Sequence, residues 1–161
     1  RDRSVSRGLG DVYKRQAVDA YADLLQNGAN SKYASKFADD DLRSKLADLT
    51  AQVQKAMELN EGTQQQTFEP VNGAISVMRS ADGGDLVVAQ INSEWTRSAG
   101  AGRESQPASD AEKALFGNGK ATSTMKTSYV NVIALYVPPA NSGQKITAVG
   151  SERQPVKVEA L

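Results

Sequence analysis

Thr122-Ser-Thr-Met-Lys-Thr-Ser-Tyr-Val-Asn-Val-Ile-Ala-Leu-Tyr-Val137 is the stretch on which the fold turns. Alternation places Met125, Tyr129, Ile133, Leu135 and Val137 on one face of a strand, and Val130, Val132, Ala134 and Tyr136 on the other. Apolar residues on both faces predict a strand covered on both sides. It is far longer than the usual five or six residues (roughly), so it has to bend. Pro138-Pro139 stops it, and a turn leads into Lys145–Gly150 and a last strand over Gln154–Glu159. Upstream, Asp85–Arg97 is a second long strand, with Val87, Ala89, Ile91 and Trp95 on one face. Ser98–Pro107 reads as an exposed loop. Ser109-x-x-Glu112 is a capping box opening a short helix with Leu115 and Phe116, closed by Gly117-Asn118-Gly119. Before the second strand, Thr63–Val71 is polar and β-prone, Asn72-Gly73 signals a hairpin turn, Ala74–Arg79 is a short strand, and Asp82-Gly83-Gly84 is a further turn.

The first third has a different period. Val18, Tyr21 and Leu25 recur at helical spacing up to Asn27-Gly28. Ser31 is placed to cap a short helix burying Tyr33, Ala34 and Phe37. Asp39-Asp40-Asp41 precedes Leu42, Leu46, Leu49, Val53 and Met57, a stripe on a helix ending near Asn60–Gly62. Helices first and antiparallel strands afterwards is an α+β order. The expected architecture is N-terminal helices packed on a curved antiparallel sheet, a nuclear-transport-factor-like (cystatin-like) cone. Leu46, Leu49, Val53 and Met57 are then expected to face Val87, Ile91, Ile133 and Leu135.

Composition narrows the chemistry. Neither cysteine nor histidine occurs, which removes thiol nucleophiles, Ser-His and Cys-His relays, disulfides and the usual zinc and iron sites. Lysine plus arginine equals aspartate plus glutamate at 19 each. The opening Arg1–Gln16 carries five of those basic residues and two of the acidic ones, with Gly8 and Gly10 breaking a weak helical pattern. It resembles translated sequencing-adapter DNA, so residues 1–16 are read as a non-native segment. Residues 17–161 are read as a single domain, with a helical part at 17–61 and a sheet part at 63–161. That domain has a formal charge of −3, which speaks against nucleic acid as a partner. The longest apolar run, Val132–Val137, is far too short to span a bilayer.

Asp39–Asp41 has the residue type for a divalent cation, but no glycine or glutamate follows from Leu42 to Gln54, so it reads as a helix N-terminus. Asp82-Gly83-Gly84 and Gly100-x-Gly102 lack a phosphate-loop context and read as turns. Glu94, Trp95 and Arg97, at a strand end, together with Tyr129, are the candidate ligand-binding residues. Trp95 shares the apolar face with Ile91, whereas Glu94 must point the other way. Glu152 and Arg153 read as a surface ion pair. Glu94 and Glu152 are the two carboxylates placed on strands; Asp39–Asp41, Asp82, Asp85, Glu104, Asp110 and Glu112 fall at helix starts, turns and loops, where solvent is expected to leave them unperturbed. No metal, cofactor or catalytic residue is expected.

Ser80-Ala-Asp-Gly-Gly-Asp-Leu-Val-Val88, Tyr129-Val-Asn-Val-Ile-Ala-Leu-Tyr-Val-Pro-Pro-Ala140 and Ile146-Thr-Ala-Val-Gly-Ser-Glu-Arg153 resemble an actinobacterial family of secreted or lipoprotein domains of unknown function. The resemblance covers Phe68 to Leu161 and rests on turn and strand residues. It implies an extracytoplasmic domain of the cell envelope, held at the membrane only through a lipid anchor upstream. The function expected is non-catalytic: scaffolding, or holding an unidentified protein partner or small ligand. The alternative is an enzyme of the cone-shaped superfamily that works with carboxylates and tyrosines alone, for which a carboxylate on the inward face is the discriminating feature.

Overall fold

A computed structural model describes the backbone of residues 3–139 and 141–161, with side chains from Tyr13 onward. Two helices come first, α1 (Arg3–Asn27) and α2 (Asp41–Leu59), joined by two short three-ten turns. Four strands follow, β1 (Thr63–Arg79), β2 (Asp85–Ser98), β3 (Thr124–Val137) and β4 (Thr147–Ala160), with α3 (Asp110–Phe116) between β2 and β3. The strands form one antiparallel meander in the order β1-β2-β3-β4. This is the α+β class expected, with helices laid on an antiparallel sheet. Among the described residues, no helix is long and apolar enough to cross a membrane.

The core sits between α1 and the inner face of β2 and β3. Val18, Tyr21, Leu24 and Leu25 cluster with Val87, Ala89, Ile91, Ile133 and Leu135. The helix opposite those strand residues is therefore α1, not α2 as the spacing had suggested. Of the α2 stripe only Leu42 and Leu46 are buried, and Leu49 is 36% exposed. The reason lies in the α1 sequence: Ala17, Val18, Ala20, Tyr21, Ala22, Leu24 and Leu25 make a wider apolar face, with small residues that allow close approach. The α1 helix also runs unbroken across Gly8 and Gly10. A propensity cost of ~1 kcal/mol per glycine does not stop the extension of a nucleated helix.

Three strand expectations need correction. Asn72-Gly73 is not a hairpin: Phe68 pairs with Ser93 and Ile75 with Ala89, so both arms lie on the same neighbour and the pair forms a bulge, with Gly73 at φ 80°. The C-terminal segments are likewise one strand, β4, whose pairing with β3 shifts twice, around Val149 and Val156. Such irregularities bend a strand. The outer face of β3 is not covered either. Val130, Ala134 and Tyr136 are half-buried and Val132 is exposed, because the helices lie on the other side. The Asp82-Gly83-Gly84 turn does join β1 to β2. There Asp82 accepts a hydrogen bond from Tyr136 Oη, and a Cβ on Gly84 would stand 2.7 Å from that oxygen.

Candidate functional site

The inner face of β2 and β3 changes character halfway along. From Val87 to Ile91, opposite Ile133 to Val137, it is apolar apart from Asn131, the partner of Ile91. Beyond that point the pairs are Ser93 with Tyr129, Trp95 with Thr127 and Arg97 with Met125, all buried. Gln64 and Gln66 border this polar half from β1, and Arg153, paired with Asn131, borders it from β4. The α2 helix bridges the two edges. Gln64 Nε2 donates to the Thr50 carbonyl at 3.1 Å and Gln66 Nε2 to Thr50 Oγ1 at 2.9 Å, while Leu42, Leu46 and Leu49 share a cavity of about 290 Å³ with Ser151 and Arg153.

Three charged groups meet here. Glu112 is fully buried and its carboxylate is completely engaged. Oε1 accepts from Arg97 Nη2 at 2.8 Å and from Thr127 Oγ1, and Oε2 accepts from the Ala108 N–H at 2.9 Å. Ser109 Oγ accepts from the Glu112 N–H, so half of the expected capping box forms, and the glutamate reaches one residue further back than the motif requires. Arg97 is 2% exposed and stacks over Trp95 at 4.6 Å, and its Nη1 has no partner among the described residues. Arg153 Nη1 donates to Ser93 Oγ (3.1 Å) and Asn131 Oδ1 (3.0 Å), with the guanidinium 3.8 Å from the Tyr129 ring centre. Its Nη2 is also buried without a partner among the described residues.

Burial dominates the titration behaviour. It pulls the Arg153 guanidinium below its ordinary range, against the stabilising influence of Tyr129 and Glu112. It also raises the Tyr129 hydroxyl, reinforced by the Glu112 charge and opposed by Arg153 and Arg97. The cluster holds two cations and one anion, an excess of positive charge away from water.

Of the four residues singled out from sequence, Trp95, Arg97 and Tyr129 come together here. Glu94 does not: it lies on the opposite face, exposed, with Lys126 Nζ at 3.6 Å. Glu152 and Arg153 are not an ion pair, since Glu152 accepts from Gln154 while Arg153 turns inward. Glu112 is no solvated carboxylate either, because Arg97, Thr127 and the Ala108 N–H replace its water. Ser93, Thr127 and Asn131 share strand parity with Trp95 and Tyr129, a signal present in the sequence. Nothing local marks Glu112 or Arg153 as inward. Ser-x-x-Lys spacings occur at Ser123–Lys126 and Ser142–Lys145, but Lys126 is on the outer face with Glu94, and Ser142 and Lys145 are both exposed, so neither pair lies in the site. Among the described residues, no group of three or more carboxylates is placed to hold a metal ion.

Neither a family model nor a curated protein matches the chain. Among solved structures, the intermembrane-space region of the chloroplast protein ARC6 is similar at a TM-score of 0.39 and 17% identity, over 97% of this chain and 98% of that one.

Proposed function

We propose that this chain is a non-catalytic, extracytoplasmic binding domain of a cell-envelope lipoprotein, and that the polar half of the sheet's inner face is where it holds a small ligand. The single observation that supports this is the buried group Arg97, Tyr129, Asn131 and Ser93, joined by the half-buried Arg153, facing the region under α2, with one buried nitrogen of each guanidinium unpartnered among the described residues. Buried polar groups are nearly always paired, and those that are not call for an explanation. An apolar body over Trp95 or Tyr129 with polar atoms at the arginines matches how small-molecule sites are built.

A second reading, acid–base chemistry by carboxylate and tyrosine, draws on Glu112 lying inward near Tyr129. It is weaker because both Glu112 oxygens already accept from three donors, whereas a general base needs an oxygen free to take a proton. A small-molecule panel followed through the indole N–H resonance of Trp95, the only tryptophan, separates the two. The binding reading expects hits that move that resonance, with no turnover of ester, glycoside or phosphoester substrates. Turnover that vanishes in Glu112→Gln would promote the enzyme, and hits that leave Trp95 unmoved would remove the site.

A further inference from the structure

The ligand class follows from charge, geometry and the shape of the cavity beside Arg153. Resting on the binding reading above, we propose that the site takes a small organic carboxylate with a short apolar tail, its carboxylate on Arg153 and its tail along Leu42, Leu46 and Leu49 of α2.

The charge argument concerns compensation. Glu112 is committed to Arg97, so Arg153 has only neutral partners in Ser93, Asn131 and the Tyr129 face. A half-buried guanidinium that makes no ion pair of its own is costly, and an anion brought to it reduces that cost. The geometry is suited to a carboxylate. One Arg153 nitrogen is anchored, which fixes the plane of the fork; Nη2 is buried without a partner among the described residues, and the side chain lines the cavity. A planar, charge-assisted donor of this kind matches carboxylate oxygens better than a point charge would.

The cavity supplies the second half of the recognition. Its wall on one side is Leu42, Leu46 and Leu49, and on the other Ser151, Glu152 and Arg153. At about 290 Å³ it lies just below the ~300–1,000 Å³ range of ligand pockets, which favours a small molecule over a drug-sized one. Lys45 also lines it and adds a positive charge on the α2 side. Glu152 is the one acidic residue along the wall, and its Oε1 is already engaged by Gln154. The exposure of Leu49 also finds a use here, because a partly open apolar side chain beside the buried Leu42 and Leu46 offers surface for an alkyl chain to cover.

Titration calorimetry on the full chain tests this with three probes: hexanoate, hexanamide and inorganic phosphate. Hexanoate is expected to bind at least about tenfold more tightly than either of the others, since only it offers both charge and tail. Arg153→Gln should abolish that preference for hexanoate over hexanamide. Ser151→Tyr, at an exposed position, should weaken hexanoate by filling the cavity without touching the buried cluster. Hexanamide binding as well as hexanoate would overturn the carboxylate assignment. Phosphate matching hexanoate would overturn the role of the leucine wall, and unchanged hexanoate binding in Ser151→Tyr would overturn the location. Should hexanoate fail while other small molecules still move the Trp95 resonance, the carboxylate inference falls and the binding reading stands. Should both fail, both fall.

Discussion

The two halves of the inner sheet face share the same strands, the same register and the same alternation, yet they are built from opposite materials. In the apolar half, Val87 and Leu135 pair, as do Ala89 and Ile133, and α1 lays Val18, Tyr21 and Leu24 on them. In the polar half, Arg97, Glu112, Thr127 and Asn131 occupy equally buried ground under α2 and beside α3, with the half-buried Arg153 at its edge. Burying aliphatic side chains stabilises by about 1.5–3 kcal/mol each. Replacing a buried ion pair with apolar residues of similar volume is commonly neutral or stabilising by about 1–4 kcal/mol. A sheet under pressure for stability alone would have continued the pattern of Val87 and Ile133. The difference teaches that apolar packing alone does not account for the polar half, which is the contrast the binding proposal draws on.

The largest effect that would sharpen this contrast is Glu112→Ala. It leaves Arg97 buried without its partner, so urea unfolding should show a loss of about 3–5 kcal/mol. A loss under about 1 kcal/mol would mean that water reaches Arg97 and that the cluster is not truly buried. In the apolar half, Ile133→Ala should cost about 2–5 kcal/mol by the same measurement, the range for truncating a fully buried aliphatic side chain. A value near zero there would dissolve the distinction between the halves.

Alkaline pH probes the α1 side. Burial, and then the Asp40 charge with its 3.1 Å hydrogen bond, push the Tyr21 hydroxyl far above its ordinary range. The folded state therefore keeps the Tyr21 proton while the unfolded chain loses it near pH 10. The stability this contributes is complete below about pH 10 and declines above it, by up to about 1.4 kcal/mol per pH unit for each such tyrosine. Tyr129, raised in the same direction, adds to the decline. The unfolding free energy should fall more steeply above pH 10 in the parent than in Tyr21→Phe, and equal slopes would refute the assignment. Smallest of all, Leu49→Ala should cost under about 1 kcal/mol, because the residue is already partly in water. A loss of core size there would put α2, not α1, at the centre of the fold.

The α+β order, the α2 boundaries and the Asp82-Gly83-Gly84 turn were legible because each rests on local pattern. Parity within a regular strand was equally reliable: Trp95, Arg97 and Tyr129 do face one region, and Glu94 does face away. Legibility ended where parity broke. In β1 the inward residues are Gln64, Gln66 and Phe68, then Ile75 and Val77, because the irregularity at Asn72-Gly73 sets Val71–Ala74 against the single residue Gln90, an odd excess that reverses the alternation. In β4 two such shifts separate Ala148 from Arg153 and Arg153 from Val158, so neither end of the strand predicts which way Arg153 points. Glu112 was hidden for another reason. A capping box explains its sequence position completely, and only the three-dimensional approach of α3 to Thr127 and Arg97 reveals its second role.

The central claim is that the polar half exists for binding at the expense of stability. The direct measurement is the unfolding free energy of the chain carrying Arg97→Met, Glu112→Leu and Arg153→Met together, which replaces every charge of the cluster by apolar volume. The account predicts unchanged stability or a gain of up to about 4 kcal/mol, with hexanoate binding lost. A loss of several kcal/mol in that triple variant would show that the cluster holds the fold together, and would contradict the account.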